Sequence, residues 1–191
     1  MFRKLCLVAG LTLSFSVAAS NSAYVEQVDR PIKALSAQQI EGLEAGRGMG
    51  YALAAELNGY PGPLHVLELA DELDLNPGQK ARTQALFDEM NALTSQYGRE
   101  LVEAERALDQ AFAEKRITQD SLAAMLRRIE ELQRSIRLEH LGTHLRQTEL
   151  LTQAQIESYN RLRGYRSDDQ DGQGNQGDNG HRHQHGGHHR H

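Results

Sequence analysis

Leu75-Asn76-Pro77-Gly78-Gln79 and Leu151-Thr152-Gln153-Ala154-Gln155 are two copies of one pattern: leucine, a small polar residue, two spacers and glutamine. Asn and Thr side chains accept hydrogen bonds from the free N–H groups at a helix start, and Pro77 suits the first helical position. Leu75 and Leu151 then serve as staples against the helix that follows. Gln79 and Gln155 are placed to bond across to each other's motif. The roles assigned to Leu75, Asn76, Gln79, Leu151, Thr152 and Gln155 are therefore structural. They mark where two helices begin.

The sequence between the copies reads as a helical hairpin. From Pro77 to about Lys115 the apolar positions Leu86, Met90, Leu93, Tyr97, Leu101, Ala104, Leu108 and Phe112 recur in steps of three and four, the spacing of one helix face. Those steps approach an eleven-residue repeat, which predicts a nearly straight or slightly right-handed pair. Arg116-Ile117-Thr118 is a short turn with Thr118 as cap. A second long helix follows from Gln119 to Leu150, with Leu122, Met125, Leu126, Ile129, Leu132 and Ile136 as its stripe. So short a connection makes the two helices antiparallel neighbours. After Thr152 a last short helix reaches about Arg163, with Ile156, Tyr159 and Leu162 inward.

Upstream, Ser36-Ala37-Gln38-Gln39 is a capping box opening a helix to about Asn58. Gly46, Gly48 and Gly50 interrupt that helix; close approach to a neighbour would explain them, and so would a break. Gly59-Tyr60-Pro61-Gly62-Pro63 is a stop and turn. A short helix from Leu64 to Leu73 presents Val66, Leu69, Ala70 and Leu73. Tyr24 to Leu35 lacks a period and is expected to be an extended lead-in. The fold class expected is all-α: a long antiparallel hairpin flanked by short helices, with an extra N-terminal helix in a domain spanning 36–166 and a disordered tail over 167–191.

Residues 1–23 read as a secretory signal: Arg3 and Lys4, then an apolar core from Leu5 to Ala19, then small residues at Ser16-Val17-Ala18 and Asn21-Ser22-Ala23. The core is shorter than the roughly 20 residues of a membrane span, so a cleaved signal and a periplasmic location are expected, an uncleaved anchor being the alternative. The single cysteine, Cys6, leaves with the signal. No disulfide or thiolate metal site then remains, and any metal must use imidazole, carboxylate or thioether. Formal net charge is −5, and losing Arg3 and Lys4 makes it more negative. Nucleic acid is thus no expected partner. No nucleophile–base pairing, phosphate-binding glycine loop or His-Glu-x-x-His motif is present, so neither catalysis nor an organic cofactor is expected.

Two groups of histidines stand out. His140 and His144 are four apart on one helix face, where they continue the stripe of Leu126, Ile129 and Ile136. That spacing can chelate a divalent ion. Antiparallel pairing about Ile117 sets them near Thr94 and Met90, so that Glu89 and Met90, and His65 with Glu68, are further candidate ligands. The other reading has both histidines half-exposed and hydrogen-bonded to nearby Glu or Gln. In the tail, His181, His183, His185, His188, His189 and His191 alternate with Gly, Gln and Arg. Flexible imidazoles bind Zn(II), Ni(II) or Cu(II); a merely solvating tail is the alternative. On the side of the second long helix opposite His140, Leu138, Leu141 and Leu145 are apolar beyond what a hairpin needs. They require a cover: the N-terminal helix, a second subunit or a client protein.

The element order and the paired Leu-Thr-x-x-Gln motifs resemble the Spy/CpxP-type periplasmic chaperones and the related heavy-metal-resistance proteins, including zinc-resistance-associated chaperones and CnrX-type metal sensors. The resemblance covers about 64–163; Leu151-Thr152-Gln153-Ala154-Gln155 is a full match, and the first copy carries Asn in place of Thr. It implies a homodimer in envelope stress that binds metal, holds unfolded clients, or partners a membrane sensor or anti-sigma factor. In the sensors the first helix carries two histidines, the second a carboxylate, and the third a His and a Met. His65, Glu89, His140 and His144 take those places here, with one His on the first helix and His144 where Met would stand. Expected function is therefore a periplasmic metal-binding stress protein, with two alternatives: a metal-independent holdase and a regulatory partner.

Overall fold

A computed structural model describes residues 24–166 of the chain. Six α-helices follow a 3-10 turn at Val25–Gln27: α1 Ala37–Glu44, α2 Leu53–Glu56, α3 Pro63–Glu68, α4 Pro77–Ala113, α5 Gln119–Leu150 and α6 Gln153–Leu162. No strand occurs among the described residues. The protein is all-α, built on the antiparallel hairpin of α4 and α5. Helix α1 packs along α4, while α2 and α3 sit at the open end.

Four capping boxes set these helices. Ser36 with Gln39, Asn76 with Gln79, Thr118 with Ser121 and Thr152 with Gln155 each close reciprocal side-chain and backbone bonds. At the hairpin turn Lys115 takes a positive φ of 53°, a left-handed residue that stops α4. The two motif glutamines then meet. Gln79 Nε2 donates to Gln155 Oε1 at 2.9 Å and Gln155 Nε2 to Gln79 Oε1 at 3.2 Å. Each amide also donates to a carbonyl of the other motif's approach, Gln79 to Leu150 at 2.9 Å and Gln155 to Leu73 at 3.0 Å. One pair of side chains thus caps two helices and ties the two chain segments of the open end together.

The interior has three zones along α5. Toward the turn, Ile129, Leu132 and Ile136 pack with Leu101, Val102, Leu43 and Ile32. At the open end Val66, Leu73, Leu75, Leu151 and Tyr159 form a second cluster. Between them lies a polar layer: Thr83, Thr94, His140, Thr143, His144 and Gln147 are all buried. Gln147 Nε2 donates to Thr83 Oγ1 at 3.1 Å, and Thr94 Oγ1 donates to its own helix at Met90 O, 2.7 Å.

Several boundaries differ from the sequence-based expectation. The helix expected from Ser36 to Asn58 stops at Glu44, because Gly46, Met49 and Gly50 adopt φ of +67°, +41° and +87°, which a right-handed helix cannot contain. Gly46 also approaches α4 closely: a Cβ there would lie 2.7 Å from Thr94 Oγ1 and 2.9 Å from Asn91 O. Break and close approach are one event. The lead-in is not simply extended, since it holds a 3-10 turn and buries Ile32 completely. Helix α3 ends at Glu68 rather than Leu73, with Asp74 at φ +48°. Phe112 and Leu126, assigned to inward stripes, are 53% and 41% exposed. Near the turn only α4 and α5 are paired, and two helices cover only a narrow stripe. Helix α1 lies on α4 and leaves the outer face of α5 bare, so it is not the cover sought for Leu138 and Leu145.

Replacing Gln79 by Ala removes half a capping box and both cross-motif bonds of a buried amide. We expect a loss of about 2–3 kcal/mol in urea unfolding. In a double-mutant cycle with Gln155→Ala the two losses should be clearly less than additive; full additivity would mean that the glutamines act separately.

Candidate functional site

The break in the N-terminal helix creates space. Between the 46–50 loop, α2, the start of α3 and the middle of the hairpin lies a cavity of about 540 Å³. Most of its wall is apolar: Met49, Leu53, Pro63, Leu64, Phe87 and Met90. Three histidines also line it, His65, His140 and His144.

His140 and His144 are 3% and 6% exposed, so the reading that left them half-exposed does not hold. His140 Nε2 is buried and has no hydrogen-bond partner among the described residues. Its ring lies parallel to Tyr51, centroids 6.3 Å apart. Burial first, and the neighbouring His144 second, pull the His140 imidazole down to a pKa of about 4; the ring is neutral at pH 7 and keeps a lone pair. His144 is oriented differently. Its Nδ1 lies 2.7 Å from Tyr60 O, and since a carbonyl only accepts, Nδ1 carries the hydrogen. In the neutral ring Nε2 is then the lone-pair nitrogen. Gly62 makes room for this ring, because a Cβ there would stand 2.8 Å from Cε1 and 2.9 Å from Nε2.

Behind His144 is a carboxylate that the sequence reading passed over. Glu56 Oε2 lies 3.7 Å from His144 Nδ1. Its Oε1 accepts from the hydroxyls of Tyr159 and Tyr165, the latter at 3.0 Å, and Arg163 Nε is 3.6 Å away. Burial, and then the hydrogen bond and charge of Glu56, push the Tyr159 phenol far above its ordinary value. This knot joins α2 to α6 and closes the base of the cavity.

The structure brings four of the five internal residues predicted from sequence to one cavity: His140, His144, His65 and Met90. Met90 is 7% exposed. His65 is held at the rim by Glu68, with Nδ1 2.8 Å from Oε2. Glu89 is the exception. It sits one position off the inward face of α4 and pairs with Arg146 of α5 at 2.9 Å, away from the cavity lining. Among the described residues no three His, Cys, Asp or Glu side chains converge closely enough to hold a metal ion. The donors that α4 and α5 contribute to the cavity lining are the imidazoles of His140 and His144 and the thioether of Met90. Tyr51, Tyr60, Gly62 and Glu56 were missed. The Gly46-Arg47-Gly48-Met49-Gly50 run and the Gly59–Pro63 turn signalled irregular chain, but not that both would meet at one cavity.

His181, His183, His185, His188, His189 and His191 lie outside the described residues, as does the 1–23 segment. No described helix is long and apolar enough to cross a membrane. No protein-family model, no curated protein and no solved structure matches the chain.

The His140 shift carries a sign. Its pKa in the fold lies below the unfolded value of about 6.5, so the unfolded chain takes up the proton first. Stability is undiminished above about pH 6.5 and falls as pH drops toward 4, by up to roughly 3 kcal/mol from this group. Urea unfolding in chelator across that window should show a smaller loss for His140→Leu, whose carboxylates titrate as in the parent. Equal losses in both proteins would remove the assignment.

Proposed function

We propose that this is an exported, transition-metal-binding stress protein of the Spy/CpxP and heavy-metal-resistance type. Its internal centre is the pair His140 and His144, with Met90 as a third, softer neighbour. The observation that carries the reading is the orphaned His140 Nε2: a buried polar nitrogen without a partner costs free energy, and it lines the same cavity as an imidazole whose other nitrogen is fixed by a backbone carbonyl. That is how a ligand histidine is held in its metal-binding tautomer. Two imidazoles and a thioether suit Cu, Ni or Zn better than hard cations; water or a further donor would complete the shell. The histidine-rich 181–191 segment adds a second, looser means of capture, weakening below about pH 6.5 as imidazoles protonate. Nothing in this reading requires catalysis, an organic cofactor or nucleic acid.

A second reading is favoured by a separate observation. Met49, Leu53 and Leu64 line the cavity yet remain 44%, 55% and 44% exposed, an apolar rim of the kind that contacts unfolded chains. A holdase for exported clients would use that rim without metal. Regulation of a membrane sensor fits the same surface, and no further feature favours it.

Calorimetric titration with Zn(II), Ni(II) and Cu(II) of the protein ending at Arg166 tests the centre apart from the tail. We expect one ion per chain, with affinity at least about tenfold weaker in His140→Ala and His144→Ala, circular dichroism confirming the fold. Binding no tighter than about 100 μM would remove the internal centre. Suppression of client aggregation that does not depend on zinc would favour the holdase.

A further inference from the structure

The cavity beside His140 holds far more space than an ion needs. A metal ion with one or two waters, at about 30 Å³ for each water, would leave most of the roughly 540 Å³ unused. Its size and mostly apolar walls are those of a small-molecule site. Leu53, Leu64, Phe87 and Met90 supply the walls, and Gly48 keeps the space open. Gly48 lies outside the left-handed region, and a Cβ there would stand 3.9 Å from His140 Cε1, an ordinary contact. Neither conformation nor crowding asks for a glycine at this position. A larger side chain would run beside the His140 ring and fill the cavity.

The polar atoms left over in this lining are acceptors. His140 Nε2 is buried without a hydrogen-bond partner among the described residues, and the neutral ring offers a lone pair there. Glu56, also in the lining, gives its Oε1 to the hydroxyls of Tyr159 and Tyr165. Its Oε2 accepts no hydrogen bond among the described residues, His144 Nδ1 lying 3.7 Å away. Arg163 stands on the Oε1 side at 3.6 Å, and its Nε makes no hydrogen bond there, so the charge is only partly offset. The basic side chains Arg47 and His65 of the lining are already engaged by Glu41 and Glu68. An anion would therefore meet Glu56 with no free cation to receive it. A neutral hydrocarbon would seal two acceptors away from water unpaired, at a cost in free energy. A metal ion alone would leave the apolar walls in water. An organic ammonium carries charge and N–H donors on an apolar body, and answers all three demands.

We propose that the cavity between the 46–50 loop and α5 binds a small organic cation, an arylalkyl ammonium whose apolar body lies against Leu53, Leu64 and Phe87 and whose N–H groups donate to His140 Nε2 and face the Glu56 carboxylate. The site goes beyond the metal reading and does not rest on it, because its acceptors and walls stand ready in the metal-free protein.

Three probes with the same phenylbutyl body test this by calorimetry on the full chain, stripped of metal with EDTA and dialysed. 4-Phenylbutylamine should bind one per chain with Kd on the order of 100 μM. 4-Phenylbutan-1-ol should bind at least about tenfold more weakly, and 4-phenylbutyrate more weakly still. His140→Leu should cost the amine about tenfold, and Glu56→Gln should bring amine and alcohol to within about threefold of each other. Gly48→Phe touches no part of the Glu56 knot; it should abolish amine binding while thermal unfolding stays cooperative. No heat from the amine at about 2 mM overturns the proposal. So does equal affinity for amine and alcohol, or amine binding that survives Gly48→Phe unchanged, which would place the cation on the acidic surface. Because no metal is present, failure of the zinc titration and failure of this one are separate results.

Discussion

The reciprocal amide pair of Gln79 and Gln155 is the constraint on which the rest of the structure hangs. Each glutamine uses its oxygen to cap its own helix and its nitrogens to reach the other motif. A hairpin of two long helices is held by its turn at one end and would splay at the other, since each helix buries only a stripe. The amide pair fixes the splayed end by geometry rather than by area. It also fixes register, because a slip of α5 by one residue would separate both amides at once. With register fixed, His140 and His144 of α5 come to line one cavity with Met90 of α4.

That fixed register lets the middle of the interior be polar. Thr83, Thr94, Thr143, His140, His144 and Gln147 replace the leucines that a hairpin of this kind would otherwise place there. A polar layer is costly when any group in it lacks a partner. Several groups here find partners: Gln147 Nε2 bonds Thr83, Thr94 bonds Met90 O, and His144 bonds Tyr60 O, while Gln147 Oε1 has none among the described residues. His140 Nε2 is the unsatisfied ring nitrogen. The 46–50 loop supplies the other half of the setting, with three left-handed residues bending the chain away from α5 just where the histidines lie. Continuing α1 as a regular helix would have filled the space that the cavity now occupies.

Much of this was legible in the sequence, and what was not failed for physical reasons. Caps and turns are local, so Ser36, Asn76, Thr118 and Thr152 announced their helices correctly. Periodicity located α4 and α5 but misjudged Phe112 and Leu126, because a stripe says which residues share a face and not whether a third element arrives to cover it. The i, i+4 spacing of His140 and His144 indicated a shared inward direction. Their near-complete burial depended on Gly62 and the 46–50 loop, which pack there from far away in the chain. Glu89 was misplaced by one helical position, enough to turn it from cavity to surface and give it to Arg146. Glu56 was invisible, because its meaning comes from Tyr159 and Tyr165, more than a hundred positions later.

Helix α5 as a whole shows an inversion that folding alone does not explain. Up to Ile136 it follows the ordinary rule, with Ile129, Leu132 and Ile136 inward and Arg127, Glu131 and Arg134 outward. From Leu138 onward the rule reverses: His140, Thr143, His144 and Gln147 turn inward while Leu138 and Leu145 face solvent. Exchanging the two sets would give a more stable protomer on both counts, since buried polar groups must find partners and exposed leucines gain nothing. Sequences depart from the binary pattern where a function requires it. Here the departure is doubled within about three turns of helix, polar inside and apolar outside at the same level. The burden of the protomer's own stability thus falls on the rest of the hairpin, on Ile129, Leu132 and Ile136 toward the turn and on the cluster around Tyr159 at the open end.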